Sequence, residues 1–372
     1  MKIKTTSRPP GEGAGRDSNC DQDNKSGQYK RAVRGDAMST AESTIQWEQV
    51  SCDLCKSTES EKELDGADWE CGVSAKLSLV KCKQCGLVYL NPRPARNSLP
   101  LVYPLTYGFY QPPARFLSRL TNPHALFRAI LEKLRPTYPY LDATVTGTIL
   151  DVGCATGHSV YPYGENGSLK QLKENDWHAY GCELDERAAE IGRASGLDIR
   201  LGRVSELDFG NQRFDVVRFN HVLEHCLSPM EDLSAAAKLL KHDGQLIVSG
   251  PNIQSAAYAL FRQWWSGLDL PRHLYHFTPA ILHKYCAKLG LRVYREYFDG
   301  YSEDLVHSLK HFLQSDSASD RNSACAHANV IAQLFGPLSR WRLSQVAKVL
   351  ASRFNGMGLG DNYTLIAKLG AQ

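Results

Sequence analysis

The stretch ILDVGCATGHS, residues 149–159, places two glycines directly after an apolar run that ends at Asp151. A strand end with so little side chain lets a ligand approach the main chain, and a following helix directs N–H groups towards an anionic group. Two familiar phosphate sites do not fit. The sequence GxxxxGK[ST] is absent, and Ala155 stands where the dinucleotide pattern GxGxxG needs glycine. We therefore do not expect a pyrophosphate at Gly153 and Gly157.

An acidic residue ends the next apolar segment, at Glu183 in YGCELDE. A carboxylate at the end of the second strand of such a unit can accept hydrogen bonds from both ribose hydroxyls. Asp185 is the rival candidate, but it lies beyond the strand, where an acid also caps a helix N-terminus. The pattern favours Glu183 as the ribose ligand.

Four cysteines form two C-x-x-C pairs, Cys52 with Cys55 and Cys82 with Cys85. Two such turns can present four thiolates to one tetrahedral zinc ion, in a closed site of structural type. A redox pair and two chance pairs are the alternatives. Cys71 lies between the pairs and could replace one ligand, although we expect it to be a bystander.

Histidines are the third group of residues that could take part in chemistry. His221 and His225, with Glu224 between them, follow an apolar strand, and His273 and His276 lie in LPRHLYHF. A neutral histidine can take the proton of an acceptor group near neutral pH. For each histidine taken singly, ordinary packing is the favoured interpretation, and only the set of them predicts a base. We expect Trp264 and Trp265 to pack in a core or lid rather than to form a platform for a sugar ring.

The composition is that of a globular protein, with 42% hydrophobic and 22% charged residues and a net charge of +3. So small a charge argues against a dedicated nucleic-acid binder. No apolar stretch approaches the roughly 20 residues of a membrane span. The chain starts without an apolar signal segment, so its eleven cysteines predict a reducing, cytoplasmic environment.

The chain divides by composition into four parts. We expect a polar, disordered tail over 1–45, a zinc-binding module over 46–95, a linker with one amphipathic helix (124–134) over 96–140, and a main domain over 141–372. From residue 147 onwards, short apolar strands alternate with helices, which predicts a parallel sheet covered on both faces. A polar stretch, SDSASDRNSA, interrupts the last helical part.

Residues 147–252 resemble the class I S-adenosylmethionine-dependent methyltransferases. The resemblance lies in LDVGCATG, GCELDERAAEIGR, FDVVRFNHVLEHCLSP and LLKHDGQLIVSGPN, followed later by PRHLYHFTPAILHKYCAKLGL. It implies an α/β fold with a doubly wound, Rossmann-like sheet of seven strands, whose antiparallel last strand would be NYTLIAKLG. The module before it would be a small zinc-ribbon-like unit.

The resemblance also implies a set of cofactor-binding residues: Asp151, Gly153, Cys154, Gly157, Glu183, Leu184, Asn220 and His221. Glu183 would hold the ribose, Leu184 would pack on the adenine, and Asn220 and His221 would lie beside the sulfonium. Many relatives carry an acid where this chain has Arg203.

The combination of a cysteine module ending in LVYLNPRP with this domain resembles bacterial enzymes that methylate sugars or other polar metabolites. It implies O- or C-methylation of a small-molecule acceptor. From the position and chemistry of the histidines, we expect His225, His273 or His221 to be the base. One alternative is an RNA methyltransferase that grips RNA with its zinc module. The near-neutral charge argues against it, as does SGPN where an N/D-P-P-Y/F motif would stand. The other alternative is a non-catalytic cofactor-binding protein.

Overall fold

A computed structural model describes residues 44–103, 140–141, 146–160, 166–300, 302–315 and 349–370. Residues Ile45–Gln372 belong to one compact unit. The predicted tail before residue 44 and the helix over 124–134 lie outside the described residues, as does nearly all of SDSASDRNSA. None of the helices in the described part of the chain has the length and apolarity needed to cross a bilayer.

The strands of the described residues are β1 (Trp47–Glu48), β2 (Ser60–Gly66), β3 (Leu77–Cys82), β4 (Val88–Leu90), β5 (Arg93–Pro94), β6 (Thr148–Val152), β7 (His178–Glu183), β8 (Asp198–Leu201), β9 (Phe214–Asn220), β10 (Leu240–Pro251), β11 (Tyr275–His276), β12 (Leu291–Asp299) and β13 (Asn362–Leu369). The helices are α1 (Leu169–Glu174), α2 (Glu186–Ala194), α3 (Pro229–Leu239), α4 (Ala256–Phe261), α5 (Pro279–Lys288) and α6 (Ser302–Gln314), with a further helix over 349–356.

The large sheet has seven strands in the order β12-β13-β10-β9-β6-β7-β8. Strands β6 to β10 pair in parallel, whereas β13 runs antiparallel to both β10 and β12. This is the predicted doubly wound sheet with its antiparallel last strand. The chain leaves β6 in one direction through β7 and β8, then returns to place β9 and β10 on the other side. The crevice of such a sheet opens at the β6–β9 boundary, where the order reverses.

Local signals explain where the helices begin and end. The Asp185 side chain accepts a hydrogen bond from the N–H of Ala188 at 2.7 Å and so caps α2, and Gly196 follows that helix with φ +79°. Thr278 caps α5 in the same way, with Pro279 in its first turn. Helix α3 stops at Leu239, because Leu240 already pairs with Phe214 as the first residue of β10.

The cysteine-containing segment builds two small sheets. Strand β1 pairs with β5, and β2, β3 and β4 form an antiparallel sheet. The fourth strand of that sheet is β11, which comes from the LPRHLYHF segment far along the chain. The module therefore shares a sheet with the main domain. The boundaries at residues 95 and 140 remain a prediction.

Candidate functional site

The glycine turn closes the end of β6 in a shape that requires its small residues. Gly153 has φ +66°, and a Cβ atom there would lie 2.5 Å from a methyl group of Val222. Gly157 has φ +72°, and its Cβ would lie 2.6 Å from Leu197. Ala155 also adopts a left-handed conformation, with φ +48°, although it carries a side chain. The turn is thus packed closely against the segment that follows β9.

Glu183 joins this turn to the end of β7. One carboxylate oxygen accepts the N–H of Ala155 at 2.8 Å, and the other accepts those of Leu184 and Asp185 at 2.7 and 2.9 Å. Burial raises the pKa of the carboxyl above its ordinary value, against the lowering effect of these N–H groups. Asp185, the rival, is occupied as the α2 cap. Leu184 beside it is 64% exposed, so its apolar side chain is open to a ligand.

Two of the predicted cofactor residues direct their side chains into the protein interior. Both oxygens of Asp151 accept hydrogen bonds from the fully buried guanidinium of Arg218, at 2.8 and 2.6 Å. The thiol of Cys154 packs beneath Gly181, so the residue offers the turn its main chain. Sequence reasoning missed Arg218. The only signal for it was a charged residue inside the apolar strand FDVVRFN.

The end of β9 carries His221 in a left-handed conformation, with φ +55°. Its N–H donates to the carbonyl of Ser249 at 2.9 Å, and Nδ1 lies 3.6 Å from Oε1 of Glu224. Such conformations are costly for residues other than glycine and are frequent at functional sites. Asn220, the preceding residue, is the last of the strand. Both residues lie at the carboxyl-terminal end of β9, as predicted.

The structure brings the three predicted catalytic histidines together around Glu224. The rings of His225 and His273 are 4.5 Å apart, edge to face, and Nε2 of His273 lies 4.0 Å from Oε1 of Glu224. The hydroxyl of Tyr103 lies 2.9 Å from Nδ1 of His225, a neighbour that the sequence did not indicate. His276 is buried behind this group, and its Nε2 has no hydrogen-bond partner.

Burial dominates the electrostatics of this group. It raises the pKa of the Glu224 carboxyl to about 8 and lowers the pKa of His221 and of His225 to about 3. Neither oxygen of Glu224 has a hydrogen-bond partner, although the residue is only 1% exposed. The site therefore contains an uncompensated buried carboxyl surrounded by neutral imidazoles.

The four paired cysteines form one cluster, whose Sγ atoms all lie within 4.8 Å of one another. Cys52 and Cys85 are 3.4 Å apart and Cys55 and Cys82 are 3.5 Å apart, close to the roughly 3.8 Å edge of a tetrahedron of Zn–S bonds. Lys56 and Gly86 follow the two pairs with positive φ angles and close both knuckle turns. The donor set fits a closed tetrahedral ion. Cys71 lies outside the cluster, as we expected.

The cysteine module is hydrogen-bonded to the start of α3 and, through Leu274, to the segment that carries Glu224. Asp53, between the first two cysteines, accepts hydrogen bonds from the Ser228 hydroxyl and the Met230 N–H, both at 2.8 Å, at the start of α3. The N–H of Leu90 in β4 donates to Leu274, whose own N–H donates to the carbonyl of Glu224, at 2.9 and 2.8 Å. The sequence did not indicate this connection.

Arg203 and the two tryptophans are held by other parts of the domain. Arg203 donates to Asp232 on α3 at 3.1 Å, and the hydroxyl of Ser205 donates to the same carboxylate, so this cation is engaged with the helix. Trp264 and Trp265 are at most 1% exposed, which confirms core packing.

Comparisons with known proteins assign the domain. Residues 123–296 match the family described as "Methyltransferase domain". The ubiquinone biosynthesis O-methyltransferase of Cereibacter sphaeroides is 29% identical over 155 residues, 38% of this chain and 59% of that protein. Its counterpart from a Bradyrhizobium species is 31% identical over 112 residues, 30% of this chain and 43% of that protein. The chain contains a class I S-adenosylmethionine-dependent methyltransferase domain.

Solved structures resemble the chain only distantly. A SAM-dependent methyltransferase from Archaeoglobus fulgidus is 19% identical with a TM-score of 0.39, covering 68% of this chain and 97% of that one. An O-methyltransferase of a Brevibacillus brevis trans-AT PKS multienzyme, in complex with S-adenosyl-L-homocysteine, is 15% identical with a TM-score of 0.39, covering 70% and 82%. The strand order described above, rather than these scores, identifies the fold.

Proposed function

We propose that this protein transfers the methyl group of S-adenosylmethionine to an oxygen of a small polar acceptor, a sugar or a related metabolite. The observation that carries the proposal is Glu183, which ends β7 and accepts the Ala155 N–H of the glycine turn. The curated relatives named above are O-methyltransferases, which supports transfer to oxygen. The chain spans 59% and 43% of those two proteins, so their activity extends to this one only as part of the proposal.

The cofactor would lie across the ends of β6, β7 and β9. Glu183 would accept the ribose hydroxyls, the exposed Leu184 would pack on the adenine, and the main chain at Gly153 to Gly157 would border the methionine end. Asn220 and His221 would lie beside the sulfonium. Asp151 and Cys154 would act indirectly. Asp151 would hold β6 and β9 together through Arg218, and Cys154 would pack under the glycine turn.

Methyl transfer requires alignment of three atoms and removal of one proton. S-adenosylmethionine supplies a methyl carbon on a positively charged sulfur, so the leaving group needs no acid. The protein must hold the acceptor oxygen in line, exclude water and take up its proton. His221, His225 and His273 lie together around Glu224, and a neutral imidazole nitrogen among them is the proposed proton acceptor.

The cysteine cluster is proposed to bind a structural Zn²⁺. All four ligands come from the protein, which leaves no open position for chemistry. We also propose that the protein works in a reducing compartment, because the nine described cysteines are all free. We also propose that the chain divides into the four parts given in the sequence analysis.

Binding of S-adenosylhomocysteine tests the cofactor assignment. We expect Glu183→Gln to weaken it by about 10- to 100-fold in calorimetry, since a charge-assisted hydrogen bond contributes about 1.5–3 kcal/mol. Glu190→Gln changes an exposed acid on α2, the helix that follows β7, and as the matched control it should bind normally. Equal affinity for all three proteins would refute the assignment.

The acceptor class is tested with the labelled cofactor and fractionated cell extract. Label in a fraction of small polar metabolites, in a base-stable ether linkage, is the expected result. Label only in RNA would replace the proposal with the RNA alternative. Cofactor binding without label in any fraction would leave the non-catalytic alternative.

A further inference from the structure

We propose that Glu224, His225 and His273 form a binding site for a divalent cation on the acceptor side of the domain. The existence of the site does not depend on the proposed function, whereas its part in methyl transfer does. This site is separate from the cysteine cluster and uses nitrogen and oxygen ligands. His225 and His273 would then be metal ligands rather than candidate bases.

Distances among the three side chains suit one ion. One ligand atom from each residue lies within 4.8 Å of the other two. Metal bonds of about 2.1 Å place ligand atoms about 3 Å apart when adjacent and about 4.2 Å apart when opposite. The 4.0 Å between Oε1 of Glu224 and Nε2 of His273 falls inside this range. Only small side-chain movements separate this arrangement from a coordinated one.

Both imidazoles have one ring nitrogen in contact with a main-chain carbonyl. Nδ1 of His273 lies 2.9 Å from the carbonyl of Gly267, and Nδ1 of His225 lies 3.2 Å from the carbonyl of Arg272. A carbonyl accepts only, so these contacts place the proton on Nδ1 and the lone pair on Nε2. The Tyr103 hydroxyl can accept from the same Nδ1 of His225. Hydrogen bonding of one imidazole nitrogen to a carbonyl is the usual support for a ligating histidine.

The surroundings of Glu224 also favour a bound cation. Its two oxygens have no hydrogen-bond partner, although it is 1% exposed and directed towards the histidines. An uncompensated buried carboxylate is costly, and a cation among these ligands would offset that cost. The guanidinium of Arg272, the residue before His273, already pairs with both Asp68 and Asp269 at 2.7 Å, so this group of three carries a net negative charge. Asp269 also lies 3.8 Å from Nε2 of His273.

The ligand set suggests both the ion and the acceptor. Two imidazoles and one carboxylate suit Mn²⁺, Fe²⁺, Co²⁺ or Zn²⁺. Three protein ligands leave positions for two adjacent oxygens, as in a vicinal diol or a catechol. A coordinated hydroxyl would lose its proton to His221 or water, and its oxygen lone pair would form the bond to the methyl carbon. The electron pair of the broken C–S bond would stay on sulfur, giving a neutral thioether and a methyl ether.

Mn²⁺ tests the site, because this ion prefers nitrogen and oxygen ligands to the thiolates of the zinc-loaded cysteine cluster. Full-length, zinc-loaded protein would be titrated and the free Mn²⁺ measured by electron paramagnetic resonance. We expect one bound Mn²⁺ per chain, with nitrogen couplings from two imidazoles. Absence of binding by the wild-type protein, or bound Mn²⁺ without imidazole couplings, would overturn the proposal.

Variants locate the ion. Glu224→Gln and His273→Gln should each weaken Mn²⁺ binding at least about tenfold, as loss of a ligand requires. His242→Gln is the matched control, because the side chain of His242 is 98% exposed. Affinity for S-adenosylhomocysteine, measured on the same samples, reports folding and tests the proposed function separately. Unchanged Mn²⁺ affinity in both ligand variants would exclude the site even if the cofactor binds.

Discussion

The proposed cofactor side of the domain, at the glycine turn and Glu183, and the proposed acceptor side, around Glu224, are built differently. The cofactor side uses the ends of two consecutive strands, β6 and β7, with Glu183 bonding main-chain N–H groups of both turns. The acceptor side joins Tyr103, the segment after β9 and His273, which are far apart in the chain. Its support comes from the cysteine module, through β4, Leu274 and Asp53.

This difference predicts which changes each side tolerates. Main-chain geometry at strand ends persists as long as the large sheet is folded. A site assembled from three distant segments depends in addition on the module that aligns them. A change in the module should therefore affect methyl transfer more than cofactor binding, while a change inside the sheet should affect global stability.

Loss of the cysteine cluster should have the largest effect. Cys82→Ser should lower methyl transfer at least about 100-fold, since small misplacements of reacting groups cost that much. Affinity for S-adenosylhomocysteine should fall far less. Cys71→Ser, outside the cluster, is the control for both measurements. Parallel loss of transfer and affinity would mean that the two sides are not separable.

The buried ion pair between Asp151 and Arg218 tests the cofactor side. Asp151→Asn should lower the free energy of unfolding by about 3–5 kcal/mol, because it leaves the guanidinium buried without its counter-charge. Urea denaturation measures this. The double variant Asp151→Leu with Arg218→Met should recover much of the loss. If the double variant is as unstable as the two single variants added together, the pair does not act as a unit.

Asp361, the residue before β13, gives the domain a pH-dependent stability. Burial, and then the charge of Asp304, raise the pKa of its carboxyl to about 7, and its Oδ1 accepts the N–H of Trp265 at 3.1 Å. A raised pKa means that the folded state holds this proton more tightly. Stability should therefore fall as the pH rises from about 4 to about 7, by up to about 4 kcal/mol.

Thermal unfolding of Asp361→Asn against the wild-type protein isolates this contribution. The variant keeps an acceptor for Trp265 but cannot ionise, so it should be the more stable protein at pH 8 and nearly equal to it at pH 4. Identical pH profiles of the two proteins would show that Asp361 is not the responsible group.

Asp53→Asn should have the smallest effect. The carboxylate accepts hydrogen bonds from Ser228, Met230 and Tyr285, and weakening them should cost about 1–2 kcal/mol. Because Asp53 anchors the start of α3, we expect a lower kcat with unchanged affinity for S-adenosylhomocysteine. Asp243→Asn, with a 93% exposed side chain, serves as the control. A weakened cofactor affinity in Asp53→Asn alone would contradict the separation of the two sides.

The sequence by itself determined the parts of this protein that depend on nearby residues. The alternation of apolar strands and helices predicted the order and type of the elements, because an element with a buried face has apolar residues at a regular local spacing. Glycine spacing located the turn at Gly153 and Gly157, and the C-x-x-C pairs located the cysteine cluster. These signals reflect backbone conformation and ligand type, which a short segment specifies.

Only the tertiary structure decided what lies beside what. The pairing of β11 with β4, the bond between Arg218 and Asp151, and the place of Tyr103 beside His225 join residues that are distant in the chain. The sequence named His221, His225 and His273 as separate candidates, but their convergence on an unpartnered Glu224 depends on packing. Such contacts form because the whole fold buries more apolar surface when these segments meet, and no local pattern carries that free energy.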